Sequence, residues 1–138
     1  MNKVYIMSAN RSAIGSFGGT LKSFCPVYLG TLVAKEAIDR SGYSPDEVEH
    51  AVFGNVILTE PRDMYVSRVI ALQAGLAKES AALTVNRLCG SGLQAIVSAT
   101  QLLMLGDASI TLAGGVEVMS NSAHIIQGFR WGTRMGDS

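Results

Sequence analysis

The sequence predicts an α/β fold in which a mixed, mostly parallel sheet carries helices on its faces. Short apolar runs alternate along the chain with longer segments whose apolar residues recur at helical spacing. The strand-like runs are continuously apolar, as expected for strands that helices cover on both sides. Gly42, Gly75 and Gly106 each follow a long helical segment, at the position where a left-handed residue commonly ends a helix.

The predicted elements follow one another without a linker, an internal repeat or a low-complexity tract. In chain order they are a strand at 4–7, a glycine-rich loop at 8–19, a helix at 27–41, a short helix that begins with a capping box at 44–47, a strand at 51–56, a helix at 64–74, a strand at 83–85, a helix at 89–105 and a strand at 109–113.

Spacing also assigns side chains to the interior or to the surface. The face of the first helix expected to be buried consists of apolar residues at helical spacing: Leu29, Leu32, Val33 and Ala37. Arg62, Asp63 and Arg68 are expected on a solvated or inter-subunit face of the second helix. Small residues such as Ala95 and Ala99 predict a third helix that is covered on several sides.

Composition excludes some classes of partner. Lysine plus arginine and aspartate plus glutamate both number 11, so the formal net charge is zero. A nucleic acid or an anionic membrane as main partner would normally require a basic surface. A neutral chain with 48% hydrophobic residues and a mean hydropathy of +0.28 favours contacts between subunits instead.

The two cysteines, Cys25 and Cys89, form neither a disulfide framework nor a metal-ligand cluster. The first seven residues lead directly into a strand pattern, without the apolar core of a secretion signal or an arginine-rich leader. We therefore expect a reduced, cytoplasmic setting and no metal or organic cofactor.

The uncharged stretch 88–106 is long enough to cross a bilayer. It contains serine, threonine and glutamine side chains together with three glycines, which makes it too polar for a segment that faces lipid. The pattern predicts a helix buried inside a protein, and no membrane partner.

Cys89 stands where the third predicted strand is followed by the third helix. The free N–H groups and the positive end of the dipole at a helix start favour a thiolate there. Gly90 and Gly92 leave room for another group to approach the sulfur. A cysteine can also be a packing residue, but glycines on both sides of Ser91 are not needed for packing. The pattern therefore makes Cys89 a candidate nucleophile.

Three segments resemble thiolases, the enzymes that cleave or condense acyl-CoA thioesters. Residues 86–95 (NRLCGSGLQA) resemble the family's active-site cysteine segment, and residues 11–19 (RSAIGSFGG) and 113–120 (AGGVEVMS) resemble two flanking motifs in the family's order. The resemblance covers the whole chain. It implies a thiolase-like N-terminal half-domain at 1–120 and the start of the CoA-covering loop domain at 121–138.

The resemblance implies acyl transfer through Cys89. Its thiolate takes the acyl group from an acyl-CoA, acetyl-CoA then attacks the acyl-enzyme, and a 3-ketoacyl-CoA such as acetoacetyl-CoA forms; the reverse reaction is thiolytic cleavage. The CoA thioesters are substrates.

In thiolases an activating histidine, a second cysteine and an asparagine come from a C-terminal half. That half must be supplied by another chain or lie in a longer protein, in a homo- or hetero-oligomer, and the isolated chain is expected to be inactive.

The sequence leaves alternative roles open for several residues, and an alternative function open for the chain. Glu117 is either hydrogen-bonded structurally, which is favoured, or a catalytic acid or base. His50 is expected at the surface, His124 at the edge of the site without a chemical role, and Met119 in packing or along the acyl site. The alternative function is a non-catalytic half-domain that acts as a structural or interaction subunit. A condensing enzyme for carrier-protein thioesters is disfavoured by the flanking motifs.

Overall fold

The computed structural model describes residues 3–132 as an α/β unit with one parallel sheet. In chain order the helices and strands are α1 (Pro26–Ser41), β1 (His50–Gly54), α2 (Val66–Ala74), β2 (Ala81–Val85), α3 (Ser91–Leu105) and β3 (Thr111–Gly115). Short 3-10 helices occupy Pro45–Glu47, Pro61–Tyr65, Met119–Asn121 and Phe129–Trp131. The predicted α/β class and the predicted order of these elements are confirmed.

The described sheet has the strand order β2-β1-β3, and both of its strand pairs are parallel. His50 lies opposite Ala81 on one side and Thr111 on the other, so the three strands start and end at the same level. Each strand is followed by a loop at the carboxyl edge of the sheet. The strand β1 lies in the centre, and its residues 51–54 are all buried.

Helices cover both faces of the sheet, and successive side chains of β1 point to opposite faces. Ala51 and Phe53 join the larger core with α1 and α2, in which Ile70 is fully buried. Val52 points to the other face and packs with Ala95 and Ala99 of α3. The sheet is therefore the middle layer between α1 with α2 on one face and α3 on the other.

The helix ends follow the local sequence signals. Gly42, Gly75 and Gly106 all adopt the left-handed conformation directly after their helices, as predicted. Ser44 and Glu47 form the predicted capping box, with reciprocal side-chain contacts, at the start of a 3-10 helix.

Residues 4–7 do not form the predicted strand. The backbone from 3 to 16 has no regular secondary structure. The Ser8 hydroxyl donates to the Ala37 carbonyl oxygen at 2.6 Å, and the Asn10 amide donates to the Val33 carbonyl oxygen at 3.1 Å. The residues that follow this segment are therefore bonded to α1, and residues 4–7 pair with no strand within residues 3–132.

The predicted buried face of α1 is only partly correct: Ala37 packs against the larger core, and Leu29 and Val33 are half-buried. The buried positions are Pro26, Val27, Gly30, Thr31, Ala34 and Ile38, whereas Leu32 is 49% exposed. Gly30 faces α2: a Cβ built there would lie 2.3 Å from Cδ1 of the buried Ile70, so a larger residue would require Ile70 or α1 to shift.

Asp63 was predicted on a solvated face but is fully buried. Its carboxylate accepts hydrogen bonds from the Thr59 N–H at 2.7 Å, the Thr59 hydroxyl at 2.8 Å and the Glu60 N–H at 3.1 Å. Arg68 is half-buried and donates to the carbonyl oxygens of Ser80 and Lys78. Both side chains close the loops that flank α2.

The helix α3 is covered on one side only. Leu88–Leu105 has the length and composition of a membrane span, with a mean hydropathy of 1.4 over 18 residues, but only 17% of that window is buried. Small residues hold one side of α3 on the sheet. The other side exposes large apolar residues: Leu93, Ile96, Val97, Met104 and Leu105. The prediction of a helix buried on several sides is therefore wrong for residues 3–132, which provide only one covering layer.

Candidate active site

Cys89 lies at the carboxyl edge of the parallel sheet, between the end of β2 and the first turn of α3. Its side chain is free and exposed. In open α/β sheets this edge is the usual place for ligands, because the loops after the strands converge there. The predicted site residue is thus an accessible thiol in the position where α/β folds generally place their chemistry.

The turn that presents Cys89 contains an unusual backbone conformation at Leu88. Its φ is +49°, and no other non-glycine residue in 3–132 has a positive φ. This conformation is unfavourable for a leucine and persists only when the surroundings impose it. The Leu88 side chain is 69% exposed, so hydrophobic packing does not impose it.

Hydrogen bonds fix both peptide groups that flank Leu88. The Asn86 Oδ1 accepts from the Leu88 N–H at 3.0 Å, which forms an Asx turn. The Leu88 carbonyl oxygen accepts from the N–H of Ser91 at 3.0 Å and from its hydroxyl at 2.6 Å. The same hydroxyl oxygen accepts from the Arg87 N–H at 2.8 Å. Ser91 is buried, so it forms the base of this turn.

The direction of the Cys89 N–H follows from these contacts. A trans peptide group is planar, and its C=O and N–H point in opposite directions. Because the Leu88 carbonyl points toward Ser91, the Cys89 N–H points away from the start of α3. Within residues 3–132 it meets no hydrogen-bond acceptor. This donor beside the sulfur is free to bind an oxygen of a ligand.

Two glycines let the first turn of α3 rest directly on the strand ends. A Cβ on Gly54, the last residue of β1, would lie 2.6 Å from the carbonyl carbon of Ser91. A Cβ on Gly115, the last residue of β3, would lie 3.1 Å from the Cα of Gly92. Both distances are shorter than ordinary contacts. Glycine at these positions therefore brings the cysteine turn down onto the sheet.

Gly90 and Gly92 differ from Gly54 and Gly115, because the described fold does not require glycine at either position. Neither has a positive φ. A Cβ on Gly92 would meet nothing within 4 Å, and a Cβ on Gly90 would make only an ordinary contact at 3.4 Å with the Arg87 carbonyl oxygen. The space beside the sulfur that they leave open is therefore available to a second group, as the sequence predicts.

Glu117 follows β3 and braces the loop after β1. Its carboxylate accepts from the Val56 N–H at 3.0 Å, the Ile57 N–H at 2.8 Å and the Asn55 Nδ2 at 3.2 Å. The buried Asn55 also donates to the Val116 carbonyl oxygen at 2.9 Å. A carboxylate that accepts three hydrogen bonds holds the surrounding backbone in place, which agrees with the structural role favoured for Glu117.

None of the other candidate residues makes a hydrogen bond to this turn within residues 3–132. His50 is the first residue of β1, at the opposite edge of the sheet, and its Nε2 is buried, so the predicted surface position is wrong. His124 is exposed in an irregular segment. Cys25 is half-buried against the larger core. Met119 is 55% exposed, so it is not a packing residue in the described chain.

The described residues show no cluster of histidine, cysteine or carboxylate side chains that could hold a metal ion. The sequence had located Cys89 and the two open glycines. It missed the roles of Asn86 and Ser91 in shaping the turn. The signals were present: an asparagine two residues before a turn residue, and a serine between two glycines at a helix start.

The sheet, the cysteine turn and the glycine contacts define a thiolase-type N-terminal domain. The thiolase N-terminal domain family matches residues 4–138, and the chain belongs to the thiolase family.

Its relatives include the beta-ketothiolase BktB of Cupriavidus necator, which is 54% identical over 136 residues, covering 99% of this chain and 34% of the relative. The crystal structure of human mitochondrial 3-ketoacyl-CoA thiolase in complex with CoA superposes with a TM-score of 0.93 at 36% identity, over 97% of this chain and 34% of that one. The acetyl-CoA acetyltransferase of Bacillus anthracis gives a TM-score of 0.90 at 40% identity, over 96% and 34% of the two chains. The chain therefore spans about a third of the length of the curated relatives it matches.

Proposed function

We propose that this chain supplies the nucleophilic half of a thiolase-type acyltransferase, with Cys89 as the nucleophile. One observation carries the proposal: an exposed cysteine is aimed outward by a strained turn, beside two glycines that the described fold does not require. Strain at a single residue and unused space beside it are features of a site that binds another group.

The first half-reaction transfers an acyl group to the enzyme. The Cys89 thiolate attacks the carbonyl carbon of an acyl-CoA, and a tetrahedral intermediate with an oxyanion forms. When the intermediate collapses, the bond to the CoA sulfur breaks, CoA leaves as a thiolate that takes up a proton, and the acyl group remains on Cys89 as a thioester. In the second half-reaction the deprotonated methyl carbon of acetyl-CoA attacks this thioester. A 3-ketoacyl-CoA forms and the Cys89 thiolate is restored; thiolytic cleavage is the reverse.

The backbone N–H of Cys89 suits the oxyanion. It points away from α3 and has no acceptor in the described chain. A donor that is already oriented needs no rearrangement as charge develops on the oxygen, and the loss of one such donor costs about 10²- to 10³-fold in rate in other acyl-transfer enzymes. Gly90 and Gly92 follow Cys89 directly in the chain, and the room left at Gly92, where a Cβ would meet nothing within 4 Å, supports access of the thioester.

The remaining parts of the reaction come from outside this chain in the proposal. The resemblance to thiolases implies that a histidine, a second cysteine and an asparagine come from a C-terminal half, in the same protein or in a partner chain. The apolar outer side of α3 is a suitable surface for that half. Cytoplasmic location, an oligomer and a domain boundary near residue 120 stay predictions. Binding of CoA is proposed from the human relative, whose structure was solved with CoA.

Thiolysis by the intact protein, meaning this chain together with its C-terminal half, tests the function. With acetoacetyl-CoA and CoA as substrates, loss of the enolate absorbance should require Cys89. We expect Cys89→Ser to lower kcat by at least about 10³-fold, because a hydroxyl is a much weaker nucleophile than a thiolate. Cys25→Ser is the matched control, since Cys25 is half-buried against the core. Equal activity of Cys89→Ser and the native protein would favour a non-catalytic half-domain.

A further inference from the structure

We infer that Asn86 is a positioning residue for Cys89: its side-chain amide holds Leu88 in the left-handed conformation that aims the nucleophile. This inference rests on the proposed acyl transfer by Cys89. Asn86 acts through the backbone of the turn, without touching the reacting atoms.

The conformation of Leu88 needs an external cause. A φ of +49° is unfavourable for a leucine, and its side chain is largely exposed, so neither intrinsic preference nor burial maintains it. The hydrogen bond from the Leu88 N–H to the Asn86 Oδ1, at 3.0 Å, acts directly on the peptide group that φ of Leu88 orients. Loss of this acceptor would allow Leu88 to relax toward a negative φ.

A relaxed Leu88 would change the orientation of Cys89. Ser91 holds the carbonyl of Leu88 from the other side, at 2.6 Å from its hydroxyl. Without Asn86, Ser91 would still hold the Leu88–Cys89 peptide plane, through its hydroxyl and through its N–H at 3.0 Å. The preceding Arg87–Leu88 peptide would lose the contact that fixes it, however, and the resulting change of φ at Leu88 would tilt the Leu88–Cys89 plane. Both the Cys89 N–H and the direction of the Cα–Cβ bond to the sulfur depend on that plane.

The Asn86 side chain also contacts the loop after β1. It directly follows β2, and its Nδ2 makes a long contact, 3.5 Å, with the Val56 carbonyl oxygen. The Glu117 carboxylate fixes the same loop through the N–H groups of Val56 and Ile57, at 3.0 and 2.8 Å. The amide of Asn86 thus lies between a loop fixed by Glu117 and the turn that carries Cys89.

The test uses acetoacetyl-CoA thiolysis by the intact protein, with kcat and KM measured separately. We expect Asn86→Ala to lower kcat by about 10- to 100-fold while KM stays within about threefold, because misplacement of the nucleophile affects the chemical step more than substrate binding. Asn86→Ser retains a shorter acceptor for an equivalent turn and should give an intermediate kcat. If Asn86→Ala does not fold, the kcat of Asn86→Ser serves as the test in its place.

Two further variants separate positioning from general stability. Asn10→Ala removes a comparable amide-to-carbonyl bond, 3.1 Å from Val33, on α1, and should keep kcat within about twofold. Leu88→Gly in the Asn86→Ala background should restore kcat to within about fivefold of the native value, because glycine adopts the left-handed conformation without strain.

The inference is overturned if Asn86→Ala lowers kcat no more than Asn10→Ala, or if Leu88→Gly restores none of the loss. These results are distinct from a failure of the proposed function. A native protein that forms no acyl adduct on Cys89 overturns the function itself, whereas a native protein that forms the adduct beside a fully active Asn86→Ala variant overturns only the role of Asn86.

Discussion

The Ser91 hydroxyl lies 2.6 Å from the carbonyl oxygen of Leu88, to which it donates a hydrogen bond. This contact joins the first residue of α3 to the left-handed residue of the cysteine turn. The Ser91 hydroxyl oxygen in turn accepts from the Arg87 N–H at 2.8 Å, so a single side chain contacts two backbone groups that precede Cys89. The geometry of the nucleophile therefore depends on a buried serine that is not expected to react.

Replacement of Ser91 by alanine should destabilise this turn. The Arg87 N–H would lose its partner and the Leu88 carbonyl oxygen would keep only the Ser91 N–H, both in part-buried positions. An unsatisfied buried polar group costs about 1–3 kcal/mol, so we expect a loss of about 1 kcal/mol. We expect a lower midpoint of urea unfolding for the intact protein and slower formation of the Cys89 thioester. Ser109→Ala is the control, because Ser109 is exposed and its hydroxyl makes no hydrogen bond within residues 3–132. Equal midpoints for the two variants would contradict the role assigned to Ser91.

Gly54→Ala and Gly92→Ala should have opposite effects on stability. At Gly54 the new methyl would lie 2.6 Å from the backbone of Ser91, so α3 must shift, and such overpacking typically costs about 1–3 kcal/mol. At Gly92 the methyl meets nothing within 4 Å, and alanine is the better helix former by about 1 kcal/mol. We expect thermal unfolding to occur earlier for Gly54→Ala and at the same or a higher temperature for Gly92→Ala.

Activity should nevertheless fall in the Gly92→Ala variant, because the methyl would occupy space that the acyl-CoA needs. Thiolysis rates measured beside the unfolding curves check this. A stable and fully active Gly92→Ala variant would show that the open space at Gly92 does not belong to the acyl site.

The buried carboxylate of Asp63 should contribute to stability through its contacts with Thr59 and Glu60. Asp63→Ala removes the acceptor oxygen Oδ2, which two backbone N–H groups and a hydroxyl contact, so we expect a loss of about 1–3 kcal/mol. Urea unfolding measures this loss. Asp39→Ala is the control on the exposed side of α1. If both variants unfold at the same urea concentration, the carboxylate contacts are not stabilising.

The outer side of α3 should cause the isolated chain to associate. It exposes large apolar residues that soluble monomers seldom leave together in one patch. Ile96→Lys should shift the isolated chain toward monomer in light scattering, and it should destabilise the intact protein, in which this side is expected to be covered. Gln101→Lys changes an exposed polar residue of α3 and should do neither. If the unsubstituted isolated chain is monomeric at the same concentration, the prediction that it associates is wrong.

The sequence predicted the features that local chemistry determines. Glycines 42, 75 and 106 ended the helices as expected because a left-handed cap is a property of a few neighbouring residues. Continuous apolar runs indicated a parallel sheet because such strands are buried on both faces. Cys89 was located because its glycines and its place before a helix lie within a few positions of one another.

The features that the sequence did not predict depend on partners distant in the chain. The buried face of α1 includes the close contact of Gly30 with Ile70, which helical spacing alone cannot identify. Residues 4–7 have the composition of a strand, but a strand also needs a partner strand, and within residues 3–132 these residues pair with none. The charge of Asp63 suggested the surface, yet three donors around it compensate for its burial.

Incubation of the intact protein with acetyl-CoA, followed by peptide mass analysis, tests the catalytic role of Cys89 most directly. The proposal predicts a mass increase of one acetyl group, about 42 Da, on the peptide that contains Cys89. No such increase is expected on the peptide with Cys25, and Cys89→Ala should abolish the adduct. An unmodified Cys89 peptide in a folded native protein, or an adduct that persists in Cys89→Ala, would contradict the assignment of Cys89 as the nucleophile.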